Sequence, residues 1–394
     1  MGFLRTIEIA YLFGSQESTD GIFLALTVIL SVYAISLKAF SEGMIPYLEK
    51  HYTRNDFISS LLWVMCVAFF LNLILFIYAN EITQIIGPGL GELGTQVTSK
   101  SLRIFSFMSY PMLGNALFSA YLYYSKNYNI VDIGDIIRNI ICVVIIYLWS
   151  NDVIGVVYAW FIGSWISSIY IVYIFIRRVF KNLGKINHSD IPLKTGIFFS
   201  TAINLIIYIA VIIDKYFLSF STEGTISNFT YGNALRAIIL TTIVAASRKI
   251  FLVEFTNHGF GYKKSLLNTF ILLSVCSFSL YIFSIPLTKL FFLRGEISPT
   301  DVQVIATVLQ FVAISLPFYS LFEILSQKLY SQQKYSIVLK GAVILVILKT
   351  IICYLTFENF GLFSVLGSKL FFEIGLFMVV FIYLWKRQFK TEKS

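Results

Sequence analysis

A few ionisable side chains lie inside long apolar runs of this chain, and any chemistry it performs has to start from them. Arg5 and Glu8 fall in the first run, Asp20 and Lys38 towards the two ends of the second, and Asp135 and Arg138 in the fifth. Asp214 and Lys215 are neighbours near the end of the seventh, and Arg236 stands well inside the eighth. Glu323, Lys349, Lys369 and Glu373 are spread over the last three. A charge in hydrocarbon costs about 2.5–3.5 kcal/mol on insertion scales, so such groups pair, reach the headgroups or line a polar path. Lys369 and Glu373 are four residues apart and can pair along one helix. Lys38 and Glu323 are close enough to run ends to reach the interface. Arg5 and Arg236 have no opposite charge three or four residues away, apart from Glu8 for Arg5. They are read as lining a path for an anion.

Other chemistries find little support. No GxxxxGK[ST] loop is present, and no nucleophile–base pair is legible. Gly89-Leu90-Gly91-Glu92-Leu93-Gly94 spells GxGxxG, but it follows no strand and is read as a flexible connector. His51, His188 and His258 are scattered over loops, so no metal site is expected. Cys66, Cys142, Cys276 and Cys353 all lie in apolar runs without a CxxC and read as small buried hydrophobes. No catalytic residue and no cofactor are assigned.

The elements that must hold these groups follow from composition. The chain has 394 residues, 57% hydrophobic and 13% charged. Soluble domains carry about 25% charged residues, and a soluble core could not absorb this much apolar surface. The formal net charge of +9 does not point to nucleic acid, because the basic residues gather in short loops between apolar runs. A spanning helix needs about 20 mostly apolar residues. Twelve candidates are found, at 2–13, 21–40, 57–78, 101–124, 133–149, 153–176, 196–220, 226–246, 265–292, 302–325, 336–357 and 360–385. The first is short for a span, and Met1 is expected not to be the native start. Alternation is absent, which excludes barrel strands.

Lys and Arg in the loops set the orientation. With the N-terminus inside, the inner loops hold Lys50, Arg54, Lys126, Arg177, Arg178, Lys181, Lys185, Lys194, Arg248, Lys249, Lys263, Lys264, Lys334, Lys386, Arg387, Lys390 and Lys393, 17 in all. The outer loops hold Lys100 and Arg294. Both termini are therefore expected in the cytoplasm. A shift of 206 residues superposes turn and kink positions of the two halves. Glu17 meets Glu223, Ser41 meets Ser247, Gly89 meets Gly295, Pro111 meets Pro317, Tyr124-Ser125 meets Tyr330-Ser331 and Gly155 meets Gly361. Six helices per repeat make the repeats parallel. The expected fold is all-α and polytopic, about twelve transmembrane helices in two six-helix lobes, 1–194 and 195–394, around a central cavity. The basic loop Arg177 to Lys194 joins them.

Several stretches carry a family resemblance. Gly2, Phe3 and Arg5, then Thr19, Asp20 and Phe23, look like the opening hairpin of the lipid II flippase family, part of the multidrug/oligosaccharidyl-lipid/polysaccharide exporter superfamily. The segment Ala39 to Tyr52 with Pro46, the Ile86 to Leu90 turn, the hairpin with Asp214, Gly224, Ser227 and Tyr231, and the Leu290 to Ser298 turn are similar in order to the same family. The resemblance implies a flippase of the bacterial inner membrane that moves an undecaprenyl-pyrophosphate-linked glycan outward by alternating access. Its partners would be that glycan, membrane lipid and a coupling ion. Family members carry cavity arginines in helices one, two and eight. Arg5 matches the first; Val32 and Tyr33 stand at the second, and Ala234 at the third, with Arg236 two residues on. Lipid II and a related lipid-linked sugar both remain open as cargo. The substrate-binding set is Arg5, Asp20, Arg138, Asp214, Lys215 and Arg236. A drug/cation antiporter of the same superfamily would lean instead on Glu8, Asp20 or Asp214. A glycan polymerase or ligase would want a longer outer loop than this chain has.

Overall fold

The computed structural model describes residues 2–40, 53–149, 152–184, 194–244, 247, 251, 262–332 and 334–391. Pro46 and the segment around it, Ser41, Lys50, Lys185, Arg248, Lys249 and the three histidines lie outside the described residues. Fifteen α-helices are found among those described: α1 Gly2–Phe13, α2 Glu17–Ala39, α3 Arg54–Ile77, α4 Ala79–Ile86, α5 Glu92–Ser106, α6 Ser109–Tyr124, α7 Tyr128–Leu148, α8 Ile154–Arg178, α9 Lys194–Leu218, α10 Thr225–Ile239, α11 Tyr262–Ile282, α12 Ser284–Phe292, α13 Pro299–Ser331, α14 Tyr335–Phe360 and α15 Leu362–Thr391. No strand occurs among them beyond an isolated bridge between Thr53 and Gly184. The all-α expectation is met, since each of the twelve apolar runs is helical over most of its described residues.

Eight of the helices are long and apolar enough to cross a membrane. The other four expected spans depart for physical reasons. The first is α1, with 12 residues. The run expected at 101–124 begins earlier, at Glu92, and is divided into α5 and α6 by a turn at Phe107–Met108. The fifth, α7, carries Asp132, Asp135 and Arg138. The eighth keeps α-geometry only to Ile239 and passes into π-geometry over Leu240–Val244. The literal GxGxxG is not simply a connector: Gly91 caps α5, and Glu92 to Gly94 form its first turn.

The chain divides into two compact units, Met1–Tyr216 and Phe217–Ser394. In the first, α3 buries one stripe, Phe57, Val64, Ala68 and Leu75, at helical spacing. Leu62, Trp63, Phe69, Phe70, Leu73 and Ile74 stay exposed on the same helix, as a bilayer requires. The buried end is an aromatic cluster: Phe57 meets Phe175 at 4.8 Å and Tyr121 at 5.1 Å, edge on, and Phe118 meets Phe175 at 5.1 Å. These contacts lock α3, α6 and α8 together. Helices α2 and α5 touch through glycine: a Cβ on Gly21 would lie 2.7 Å from the Gly94 carbonyl oxygen. Thr98 Oγ1 donates to the Gly21 carbonyl at 3.1 Å, and the Gly94 N–H donates to the Glu17 carboxylate at 2.7 Å. That carboxylate satisfies an otherwise unbonded amide at the start of α5 and suits the positive end of the helix.

The second unit is held by a helix cap and a helix-to-helix hydrogen bond of its own. The Ser298-Pro299-Thr300-Asp301 start of α13 is a capping box: the Asp301 N–H donates to Ser298 Oγ, and the Ser298 N–H donates back to Asp301. Asn228 Nδ2 then donates to Asp301 Oδ1 at 2.9 Å, tying α10 to α13. Helix α13 continues through Pro317 for 33 residues. A proline inside a helix removes the hydrogen bond to the carbonyl four residues earlier, here Ala313. Ser277 Oγ of α11 donates to that carbonyl at 2.6 Å, so no acceptor is left bare in the apolar interior.

Candidate substrate site

Each unit holds its own charged cluster, half-buried in the first and largely buried in the second. In the first, one turn of α7 anchors two arginines. Asp135 Oδ1 pairs with Arg138 Nη2 at 2.9 Å. Asn139 Oδ1 accepts from Arg5 Nη1 of α1 at 2.9 Å, while Asn139 Nδ2 donates to the Asp135 carbonyl at 2.6 Å. Trp160 of α8 lies against both guanidiniums. The Arg5 guanidinium carbon is 3.7 Å from its ring centre and that of Arg138 5.9 Å. Arg138 also lies 5.6 Å over Tyr33 of α2. Tyr33 thus offers a ring face to a cation that comes from another helix. Among the described residues no ion pair joins Arg5 to Glu8, although they are three apart on α1. The local pairing that spacing allows is replaced by a long-range one.

Asp20, Asp214 and Lys215 are also buried in the first unit. Lys215, near the end of α9, lies 5.9 Å from the Phe23 ring of α2. Phe23 and Tyr33 are ten residues apart on one helix, which places the Lys215 and Arg138 contacts about 15 Å apart along α2. The structure therefore brings Arg5 and Arg138 together and sets Lys215 about three turns away.

In the second unit, Arg236 is 3% exposed, and its Nη1 donates to Glu373 Oε1 of α15 at 2.9 Å. Lys369 Nζ reaches the same carboxylate at 3.1 Å, as the four-residue spacing predicts. Arg236 also lies 5.1 Å over Tyr319 of α13, whose hydroxyl donates to Glu323 at 3.1 Å. The partner of Arg236 is 137 residues away, beyond the reach of any local spacing rule. Sequence reasoning singled out neither Asn139, Trp160 nor Tyr319. Asn139 sits four residues from Asp135, the one signal available; the two aromatics carry none, because 17% of the chain is aromatic. Among the described residues no group of three His, Cys, Asp or Glu could hold a metal.

Apolar helices that cross a bilayer and bury paired and stacked cations between them define a polytopic membrane transporter. The solved structures agree in fold. A lipid II flippase MurJ in an inward closed conformation superposes with a TM-score of 0.82 at 18% identity, over 98% of this chain and 85% of that one. An inward-facing multidrug resistance MATE family transporter of the MOP superfamily gives 0.78 at 14% identity, over 98% and 93%. Among curated proteins, the probable lipid II flippase MurJ of Aquifex aeolicus (strain VF5) is 23% identical over 384 residues, covering 92% of this chain and 76% of that protein. The one from Buchnera aphidicola subsp. Schizaphis graminum (strain Sg) is 26% identical over 424 residues, covering 98% and 79%. The model of the lipid II flippase MurJ family matches residues 9–394, and the chain belongs to that family. This is a family of transporters rather than of enzymes.

Proposed function

We propose that the protein carries an undecaprenyl-diphosphate-linked glycan, lipid II or a polysaccharide repeat unit, from the inner to the outer leaflet of the bacterial cytoplasmic membrane by alternating access. The observation that carries this reading is the convergence of Arg5 and Arg138 on Trp160 among helices with apolar exteriors. Guanidiniums held at membrane depth suit the phosphates of a lipid-linked sugar. Arg236 would be a second cationic contact, with Glu373 as its resident counter-ion. Asp20, Asp214 and Lys215 would supply polar contacts to the cargo. Family membership supports the same cargo class.

The test is export of the lipid-linked glycan in cells lacking the native gene, with membrane abundance measured alongside. Arg5→Ala should lower export by at least about tenfold, the effect of losing one charge-assisted pair. Arg5→Lys keeps the charge without the fork and should lose less. Arg178, exposed at the end of α8, should tolerate Ala. Full export by the Arg5→Ala, Arg236→Ala double variant would remove the reading.

The orientation belongs to the same proposal: both termini cytoplasmic, with six helices in each of two parallel repeats. The breaks support the repeat. Helix α3 is followed after one residue by α4, and 205 residues later, within one residue of the 206 shift, α11 is followed by α12 in the same way. Single cysteines at Lys185 and Thr222, treated on intact cells with a membrane-impermeant reagent, should label at Thr222 alone. Labelling only at Lys185 would invert the topology.

A further inference from the structure

Trp160 is 3% exposed, and its indole Nε1–H has no acceptor among the described residues. Arg138 Nε, beside the same ring, is also buried without one. Buried donors of this kind are rare and each costs about 1–3 kcal/mol if left unmet. Here they occur together, next to two guanidiniums that have only one carboxylate, Asp135, paired with them among the described residues. Asp135 and Asn139 hold the outer nitrogens, so both cations are oriented before any ligand arrives. Stacking at 3.7 Å fixes the Arg5 plane against the indole.

We propose that Trp160 is a ligand-binding residue whose indole N–H donates to an oxyanion held between Arg5 and Arg138, and that this oxyanion is the diphosphate of the carried lipid. The inference rests on the transport reading above and adds to it the residue that reads the anion. Two guanidiniums and a neutral donor gathered at one ring match two linked phosphoryl groups better than one. A single phosphodiester, such as a phospholipid headgroup, carries one charge and cannot engage both forks and the indole equally.

The experiment uses purified full-length protein in neutral, phosphate-free detergent, titrated by calorimetry with undecaprenyl diphosphate, undecaprenyl monophosphate, phosphatidylglycerol or inorganic pyrophosphate. Wild type should prefer undecaprenyl diphosphate. Trp160→Phe keeps a ring for both arginines but loses the N–H together with the second ring, and it should weaken that binding by about tenfold or more, at least the worth of a hydrogen bond to a charged group. In indole-15N-labelled wild type, the Trp160 N–H resonance, assigned by its absence from Trp160→Phe, should move downfield on adding the diphosphate lipid. Should that variant fold poorly, the same resonance is assigned as the one that survives replacement of Trp63, Trp149, Trp165 and Trp385 by Phe. Unchanged affinity in a well-folded Trp160→Phe protein, or an unmoved resonance at saturation, overturns the inference. Equal Trp160-dependent binding of phosphatidylglycerol would make this a headgroup site and overturn it too. If wild type ignores the diphosphate lipid yet restores export in cells, the site assignment fails while transport stands. Loss of both would sink the transport reading itself.

Discussion

Exchange of Glu373 for glutamine will destabilise the second unit by about 3–5 kcal/mol, more than removal of either of its cationic partners. The order follows from the charges. Glu373 is 4% exposed and faces both Arg236 and Lys369, so Glu373→Gln leaves one buried and one partly buried cation without their carboxylate. Arg236→Ala leaves a one-to-one pair, Lys369 with Glu373, and should cost less. Lys369 is the most exposed of the three side chains, at 13%, and its loss leaves the better-buried pair intact, so Lys369→Ala should cost least. Thermal unfolding of the purified variants in detergent measures the series. A Lys369→Ala variant as unstable as Glu373→Gln would show that the carboxylate does not serve both cations. Measured protein level is therefore essential whenever Arg236 variants are tested for transport.

Gly21→Leu is expected to prevent the first unit from assembling, and Gly21→Ala to cost about 1–3 kcal/mol, as overpacking does. The added Cβ would meet the Gly94 carbonyl at 2.7 Å and Thr98 Oγ1 at 3.0 Å. Backbone cannot rotate away as a side chain end can, so α2 and α5 must separate. Separation also strains the Thr98 bond to the Gly21 carbonyl and the Glu17 bond to the Gly94 N–H. A second helical glycine provides the control. Nothing lies within 4 Å of a Cβ built on Gly367 in α15, so Gly367→Ala should be neutral or stabilising by up to about 1 kcal/mol. Yield and monodispersity on size exclusion, followed by melting temperature, separate these cases. A Gly21→Leu protein that purifies and melts like wild type would contradict the close-approach account.

Much of this fold was legible from apolar run length, because one term, burial in hydrocarbon, dominates every span. The Lys369–Glu373 pair was legible too, being local geometry at fixed spacing. The turn at Phe107–Met108 was not, since neither residue breaks helices and the nearest proline, Pro111, lies inside the next helix. Of the candidate site, the arginines stood out by cost alone. Their partners did not: Asn139 and Glu373 lie 134 and 137 residues from Arg5 and Arg236, and only folding brings each pair together.

The Ser277 hydroxyl on the Ala313 carbonyl has a mechanical consequence. A proline normally gives a helix a soft joint, because the missing hydrogen bond no longer resists bending. In α13 the freed carbonyl is roped to α11, so a flexure at Pro317 either drags α11 with it or leaves a naked acceptor in oil. The joint is thereby converted into a coupling between two rods. In the first unit the chain turns at Phe107–Met108 instead, and there Ser109 Oγ, just past the turn, donates to the Ala68 carbonyl of α3 at 3.1 Å.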